Sequence, residues 1–189
     1  MKWVVKTFEE LSIHALYHIL RLRSAVFVVE QKSIYLDADG KDLQAIHLML
    51  LQGREKNDEN KPCHERVCKG DCEICSDGCM GCMEDGSLLA YARLLPDETD
   101  EKKVWLGRII AVQRGCGYGR MLVWKGLELA KKQLHVKSVW LEAQVQAQPF
   151  YEKMGFVQVG STYWLDGILH VKMCQSLVPT ETSWRNGLS

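Results

Sequence analysis

Ala111-Val112-Gln113-Arg114-Gly115-Cys116-Gly117-Tyr118-Gly119-Arg120 joins a β-branched apolar run, Val104 to Val112, to an amphipathic segment, Met121 to Leu134. Strand, glycine-rich turn and helix in that order make a site for an anion. Glycines let backbone N–H groups reach a ligand with no Cβ in the way. The first turn of the helix adds unpaired N–H groups and the positive end of its dipole. The natural guest is a phosphate or pyrophosphate. Two common nucleotide loops do not fit. A Walker loop needs Gly-Lys-Ser/Thr, which the chain lacks, and a dinucleotide loop needs G-x-G-x-x-G, whereas Gly115, Gly117 and Gly119 are spaced G-x-G-x-G.

Outward from this turn, periodicity marks alternating elements. Trp3 to Lys6 reads as a strand, and Ser12 as the cap of a helix with Leu16, Ile19, Leu20 and Leu22 on one face. The apolar run 24–29 ends on Glu30, and a polar turn carries Asp37, Asp39 and Asp42. Strands are expected over 45–52, 88–95, 104–112, 138–143, 156–160 and 168–173. The long helix after Gly119 places Val123, Leu127, Ala130 and Leu134 against the sheet. A short helix, 148–154, has Pro149 in its first turn and Gly155 at its end.

The segment 53–87 breaks the pattern. Apart from cysteine its apolar side chains are Val67, Ile74, Met80 and Met83, and it carries nine acids against five Lys/Arg. Such a segment cannot bury enough surface to fold alone, so it reads as an insertion in a β-hairpin. Six of the eight cysteines fall in it: Cys63, Cys68, Cys72, Cys75, Cys79 and Cys82. The knuckles Cys72-x-x-Cys75 and Cys79-x-x-Cys82 suit a tetrahedral structural Zn2+ held by four of the six thiolates. Two metals, an iron–sulfur cluster, or free oxidisable thiols are the alternatives.

Composition bounds the rest. The 189 residues are 47% hydrophobic and 25% charged, as in an ordinary soluble globular domain. Formal net charge is zero, which calls for neither nucleic acid nor an anionic membrane. No apolar run approaches the ~20 residues of a membrane helix. The N-terminus is soon acidic and does not read as a secretory signal, so a cytoplasmic protein is expected. Residues 1–178 are expected to form a single domain and 179–189 a flexible tail. Oligomeric state is left open, a homodimer being the assembly considered.

The ordered segments resemble a known family. Arg23-x-x-Val26-Phe27-Val28-x-Glu30-Gln31, Tyr35, Asp39-Gly40-x-Asp42 and His47 are similar to the N-terminal half of the ElaA-like acetyltransferases of the GNAT superfamily. So are Ala92-Arg93-Leu94-Leu95, Gly107-Arg108-Ile109, the R-x-x-G-x-G of Arg114, Gly117 and Gly119, Ala143-Gln144, Phe150-Tyr151-x-x-x-Gly155-Phe156, and Asp166-Gly167-Ile168-x-His170-x-x-Met173. The match covers 3–52 and 88–174 and misses the cysteine insertion and the tail. It departs from the family pattern between Ile109 and Arg114, where the connection is shorter than usual.

The resemblance implies an α+β, three-layer fold: a mixed, twisted sheet with helices on both faces, whose central strands part to admit acetyl-CoA. It implies direct transfer of acetyl to a small-molecule amine or a peptide N-terminus. On this reading the backbone of Arg114, Gly115, Cys116, Gly117, Tyr118, Gly119 and Arg120 holds the pyrophosphate. Ile109, Ile110 and Ala111 pair with the pantetheine, and Gln144 bonds the opened edge. Tyr151 protonates the leaving thiolate. Glu30, taken as partly buried, acts as base or holds the amine, or else it forms an ion pair with Arg93 or Arg108. Asp39 and Asp42 shape a turn or attract a cationic substrate, and His47 and His170 are structural. A second reading makes the fold a scaffold on which the cysteine-rich hairpin binds metal and docks a partner.

Overall fold

The computed structural model describes residues 1–33, 35–52, 86–178 and the backbone of 82–83. Its strands are β1 (Lys2–Lys6), β2 (Ile46–Gln52), β3 (Cys82–Met83), β4 (Gly86–Pro96), β5 (Lys103–Ala111), β6 (Ser138–Gln144), β7 (Val157–Leu165) and β8 (Ile168–Ser176). Its helices are α1 (Ile13–Arg23), α2 (Tyr118–Lys132) and α3 (Gln148–Glu152). The strands form one sheet in the order β1-β2-β4-β5-β6-β8-β7, with β3 on β4. All pairs are antiparallel except β5 with β6.

Local chemistry sets the helix ends. Ser12 Oγ accepts from Ala15 N at 3.1 Å, as its place before the apolar face predicts. Pro149 lies in the first turn of α3, and Gly155 follows it at φ +92. From Ser24 to Glu30, α1 widens into a π-helical turn, closed by Gln31 N donating to Val26 O at 2.9 Å. That stretch is an unbroken apolar run, so no periodicity in the sequence announces the change of pitch.

Each face of the sheet has its own core. On one side α2 buries Leu122, Val123, Leu129 and Ala130 against Leu106, Val139, Leu141, Val171 and Met173. On the other, Ile19, Leu22 and Val26 pack on Met49, Leu51, Tyr91 and Ile110. Gly126 lets α2 sit close to β5: a Cβ there would stand 3.1 Å from Leu106 Cδ1.

Several boundaries differ from the sequence expectation. The long helix begins at Tyr118, not Met121, directly after Gly117 at its N-cap. β7 runs on past Gly160 to Leu165, and β8 to Ser176. β4 starts at Gly86, so the last two residues assigned to the insertion belong to the sheet. The expected metal ligands Cys63, Cys68, Cys72, Cys75 and Cys79 lie outside the described residues, as does the tail from 179, and Cys82 is described only as β3 backbone. Among the described residues no group of three or more His, Cys, Asp or Glu is arranged to hold a metal. No described helix is long and apolar enough to cross a membrane.

Candidate active site

The centre of the sheet opens because β5 and β6 cannot stay together. They pair in parallel at Lys103↔Ser138, Val104↔Val139 and Trp105↔Trp140, and then part. A bulge in β5 promotes the parting. Between the pairs Arg93↔Gly107 and Tyr91↔Ile110, β4 advances two residues and β5 three. The extra residue bends the strand, and Arg108 there takes φ +53, a left-handed conformation costly for a residue with a Cβ.

Something must hold Arg108 in that conformation, and a ring of ions does so. Arg108 Nε donates to Asp37 at 2.8 Å and its Nη2 to Asp39 at 3.2 Å. Arg93 takes Asp39 with both terminal nitrogens and Asp42 at 2.7 Å. Arg23, fully buried, closes the circuit on Asp42 at 2.7 Å and Asp37 at 2.8 Å. Three arginines and three aspartates thus alternate in a closed ring, neutral overall. The Arg108 guanidinium also lies over the rings of Phe27 and Tyr35.

Burial alone would raise the Asp39 carboxyl. The bonds and charge of Arg93, the Lys41 N–H and the charge of Arg108 outweigh it and hold Asp39 down to about 2. Asp42 is lowered in the same way, burial being overcome by Arg23 and Arg93. The turn expected at Asp39 is present, with Asp39 Oδ1 accepting from Lys41 N at 3.1 Å. The alternative role for Asp39 and Asp42, attracting a cationic substrate, is corrected: arginines already neutralise both. His47 is structural, as expected. Nδ1 meets Tyr91 Oη at 2.9 Å and Nε2 meets the Asp42 carbonyl oxygen at 3.0 Å. Burial lowers its pKa, so the ring is neutral.

The parted strands enclose a cleft of about 770 Å³, with Arg93, Arg108 and Tyr35 on one side and Ile109 on β5. Gln144, Tyr151, Glu142, His170 and Lys172 line the other side. Of the three β5 residues expected at the pantetheine, Ile109 lines the cleft. The Ile110 side chain is buried on the α1 face, which is compatible with backbone pairing, and Ala111 is registered with Ala90. Gln144 Nε2 donates to Gln31 Oε1 at 3.1 Å, tying β6 to the end of the π-helical turn. The Tyr151 ring meets Phe150 and Phe156 edge-on. Its hydroxyl has no hydrogen-bond partner among the described residues, and burial pushes its pKa up to about 12.

Glu30 departs from the expectation in its ion pair. Its side chain is 37% exposed, and it is not among the residues lining the cleft. Its partner is Arg114, itself 77% exposed, rather than Arg93 or Arg108. Arg93 and Arg108 are both engaged by the aspartates at 37, 39 and 42.

The turn that precedes α2 has the geometry of an anion cradle. Gly115 and Gly117 take φ +80 and +79, and a Cβ at either would meet nothing within 4 Å. Gly117 caps α2 without a side-chain hydrogen bond, so no side chain of the turn claims the helix's first N–H groups. Gly119 packs on Phe150, where a Cβ would lie 3.7 Å from Cζ, which ties the turn to the helix that carries Tyr151. Cys116 is exposed and free.

Known proteins are similar to this chain in sequence and fold. The acetyltransferase (GNAT) family model matches residues 43–156. Protein ElaA of Escherichia coli is 34% identical over 180 residues, 94% of this chain and 98% of its own. A UPF0039 protein of Schizosaccharomyces pombe is 35% identical over 176 residues, 92% of this chain and 95% of its own. The crystal structure of an acyl-CoA N-acyltransferase from Pseudomonas aeruginosa superposes with a TM-score of 0.68 at 31% identity, covering 93% of this chain and 99% of that one. The crystal structure of Escherichia coli ElaA gives 0.68 at 32%, covering 92% and 98%. Sequence and fold agree along nearly the whole chain: it belongs to the GNAT family of acetyltransferases.

Proposed function

We propose that the protein transfers an acetyl group from acetyl-CoA to a primary amine, on a small molecule or a peptide N-terminus, by direct attack with both substrates bound. The observation that carries this reading is the uncapped N-terminus of α2 behind the open Gly115–Gly117 turn, at the end of the strand that parts from β6. The N–H groups from Gly115 to Arg120 suit a pyrophosphate, and no side chain stands in their way. Bound acetyl-CoA supplies an acetyl group activated as a thioester. Ile109 and Gln144 line the gap in which its extended arm would lie.

Tyr151 Oη hands its proton to the sulfur as the bond between sulfur and the acetyl carbon breaks. Its raised pKa keeps the phenol protonated through the neutral range, as a donor must be. Arg108 and the ion ring fix the β5 bulge and so the width of the gap. Acetyl-CoA should raise the melting temperature, since a ligand of the folded state alone stabilises it; no shift at millimolar ligand overturns the reading. Release of coenzyme A across a library of primary amines then identifies the acceptor. Tyr151→Phe should lower kcat about 100-fold with the acetyl-CoA-induced shift intact, and unchanged turnover removes Tyr151 as the donor.

A further inference from the structure

The attacking amine arrives as an ammonium and must lose a proton, and the Glu30 carboxylate lies outside the cleft lining. The cleft itself holds a better group. His170 lies on β8, registered with Gln144 of β6 on one side and Tyr163 of β7 on the other. It lines the cleft at the end of β6, from which the chain passes through a short turn into α3 and Tyr151. His170 Nδ1 lies 2.9 Å from the Ile168 carbonyl oxygen. A carbonyl oxygen can only accept, so the bond assigns the proton to Nδ1. Nε2 of the neutral ring is then a lone-pair acceptor, and it has no partner among the described residues. His47 shows the opposite arrangement, with both ring nitrogens engaged.

The other groups facing His170 are less suited to accept the proton. Glu142, on β6, accepts a hydrogen bond from Tyr163 Oη at 2.7 Å. Gln144 cannot titrate, and both ends of its amide are bonded, to Gln31 and Gln146. Lys172, further along β8, and Asp166, in the turn between β7 and β8, complete the charged neighbours that line the cleft here. Side chains of both signs therefore line the cleft near the ring.

We infer that His170 Nε2 is the base that takes the proton from the acceptor ammonium, an inference that rests on the amine-acetylation reading above. The step balances. The N–H bond of the ammonium breaks and its proton goes to Nε2. The freed lone pair forms the bond from nitrogen to the acetyl carbon. The bond from carbon to sulfur breaks, its electrons stay on sulfur, and Tyr151 Oη protonates that sulfur. A second proton leaves the new amide nitrogen for solvent. His170 returns its proton to solvent and Tyr151 recovers one, so one proton is released per acetyl group transferred.

Two measurements test this on the full chain. Long-range proton–nitrogen NMR of histidine-labelled protein, assigned with His170→Gln, should show the Nδ1–H tautomer at pH 8; the Nε2–H tautomer overturns the inference without any need for an acceptor. Coenzyme A release is then followed with butylamine, spermidine, tyramine and glycylglycine. His170→Gln should lower kcat/KM by about 100-fold at pH 7 and remove the limb of the wild-type profile that rises with pH. The acetyl-CoA-induced rise in melting temperature should stay unchanged. A merely structural histidine would lower stability and leave that limb in place, so a retained limb or a full rate overturns the inference. Failure of the amine reading looks different: wild type releases no coenzyme A with any of the four, and the tautomer alone then decides whether His170 offers an acceptor nitrogen.

Discussion

The two walls of the cleft handle polar groups in opposite ways. On the wall built from α1, the 35–44 turn, β4 and β5, three arginines and three aspartates close on one another in a ring. On the wall built from β6, α3, β7 and β8, Tyr151 Oη and His170 Nε2 have no hydrogen-bond partner among the described residues. A satisfied buried ion holds its neighbours in place and takes no further part. A phenol or imidazole nitrogen without a partner is free to meet a substrate atom. The first wall therefore sets where the strands stand, and the proposed mechanism places the chemistry on the second.

The sharpest way to break this contrast is to open the ring. Arg23→Ala leaves Asp37 and Asp42 short of a buried partner and should cost about 3–5 kcal/mol in denaturant unfolding. A loss below about 1 kcal/mol would show that the ring behaves like surface charge and does not set the wall. Acidification probes the same ring more gently. Asp39 is held near 2 against an ordinary 3.8, so its contribution is complete above the ordinary value and is lost as pH falls from about 4 towards 2. On the order of 2 kcal/mol should disappear over that window, and denaturant midpoints independent of pH there would contradict the ring's electrostatics.

Smaller effects belong to the groups beside the ring. Gly117→Ala forces a Cβ into the left-handed region at φ +79 and into the open cradle. Acetyl-CoA affinity measured by calorimetry should fall about tenfold, or about 1.4 kcal/mol; equal affinity would move the pyrophosphate elsewhere. Glu30→Gln should change least. Its partner Arg114 is 77% exposed, so stability should shift by less than about 1 kcal/mol, with turnover nearly unchanged. A large fall in kcat would return the base role to Glu30 and undo the contrast between the walls.

The sequence made the sheet and the cradle readable because both rest on local rules. Ser12 before an apolar face, Pro149 ahead of Gly155, and glycines between a strand and a helix each fix their neighbours within a few residues. The edge strand β7 is mostly exposed on both faces, so it lacks the alternation that would have carried the reading past Gly160 to Leu165. The ion ring draws on positions 23, 37, 39, 42, 93 and 108, and no spacing along a chain says which carboxylate an arginine will reach. Glu30 illustrates this, since its partner follows from where the π-helical turn ends. The free nitrogen of His170 was equally hidden, because nothing in the sequence says that Nδ1 will meet the carbonyl oxygen two residues before it.

Ser87 of β4 is registered with Gln52 of β2 on one edge and with Cys82 of β3 on the other. β3 takes up the edge of β4 that β5 leaves after Ala111. The chain therefore departs and returns about two strand spacings apart, roughly 10 Å, astride a single strand and on the side of β4 away from its pairing with the start of β5. For protein engineering this is a ready graft point. A foreign domain or a reporter spliced between Gln52 and Cys82 would meet a closure cost that grows by only about 0.6 kcal/mol for each doubling of length, and both of its ends would be held by one strand of the sheet.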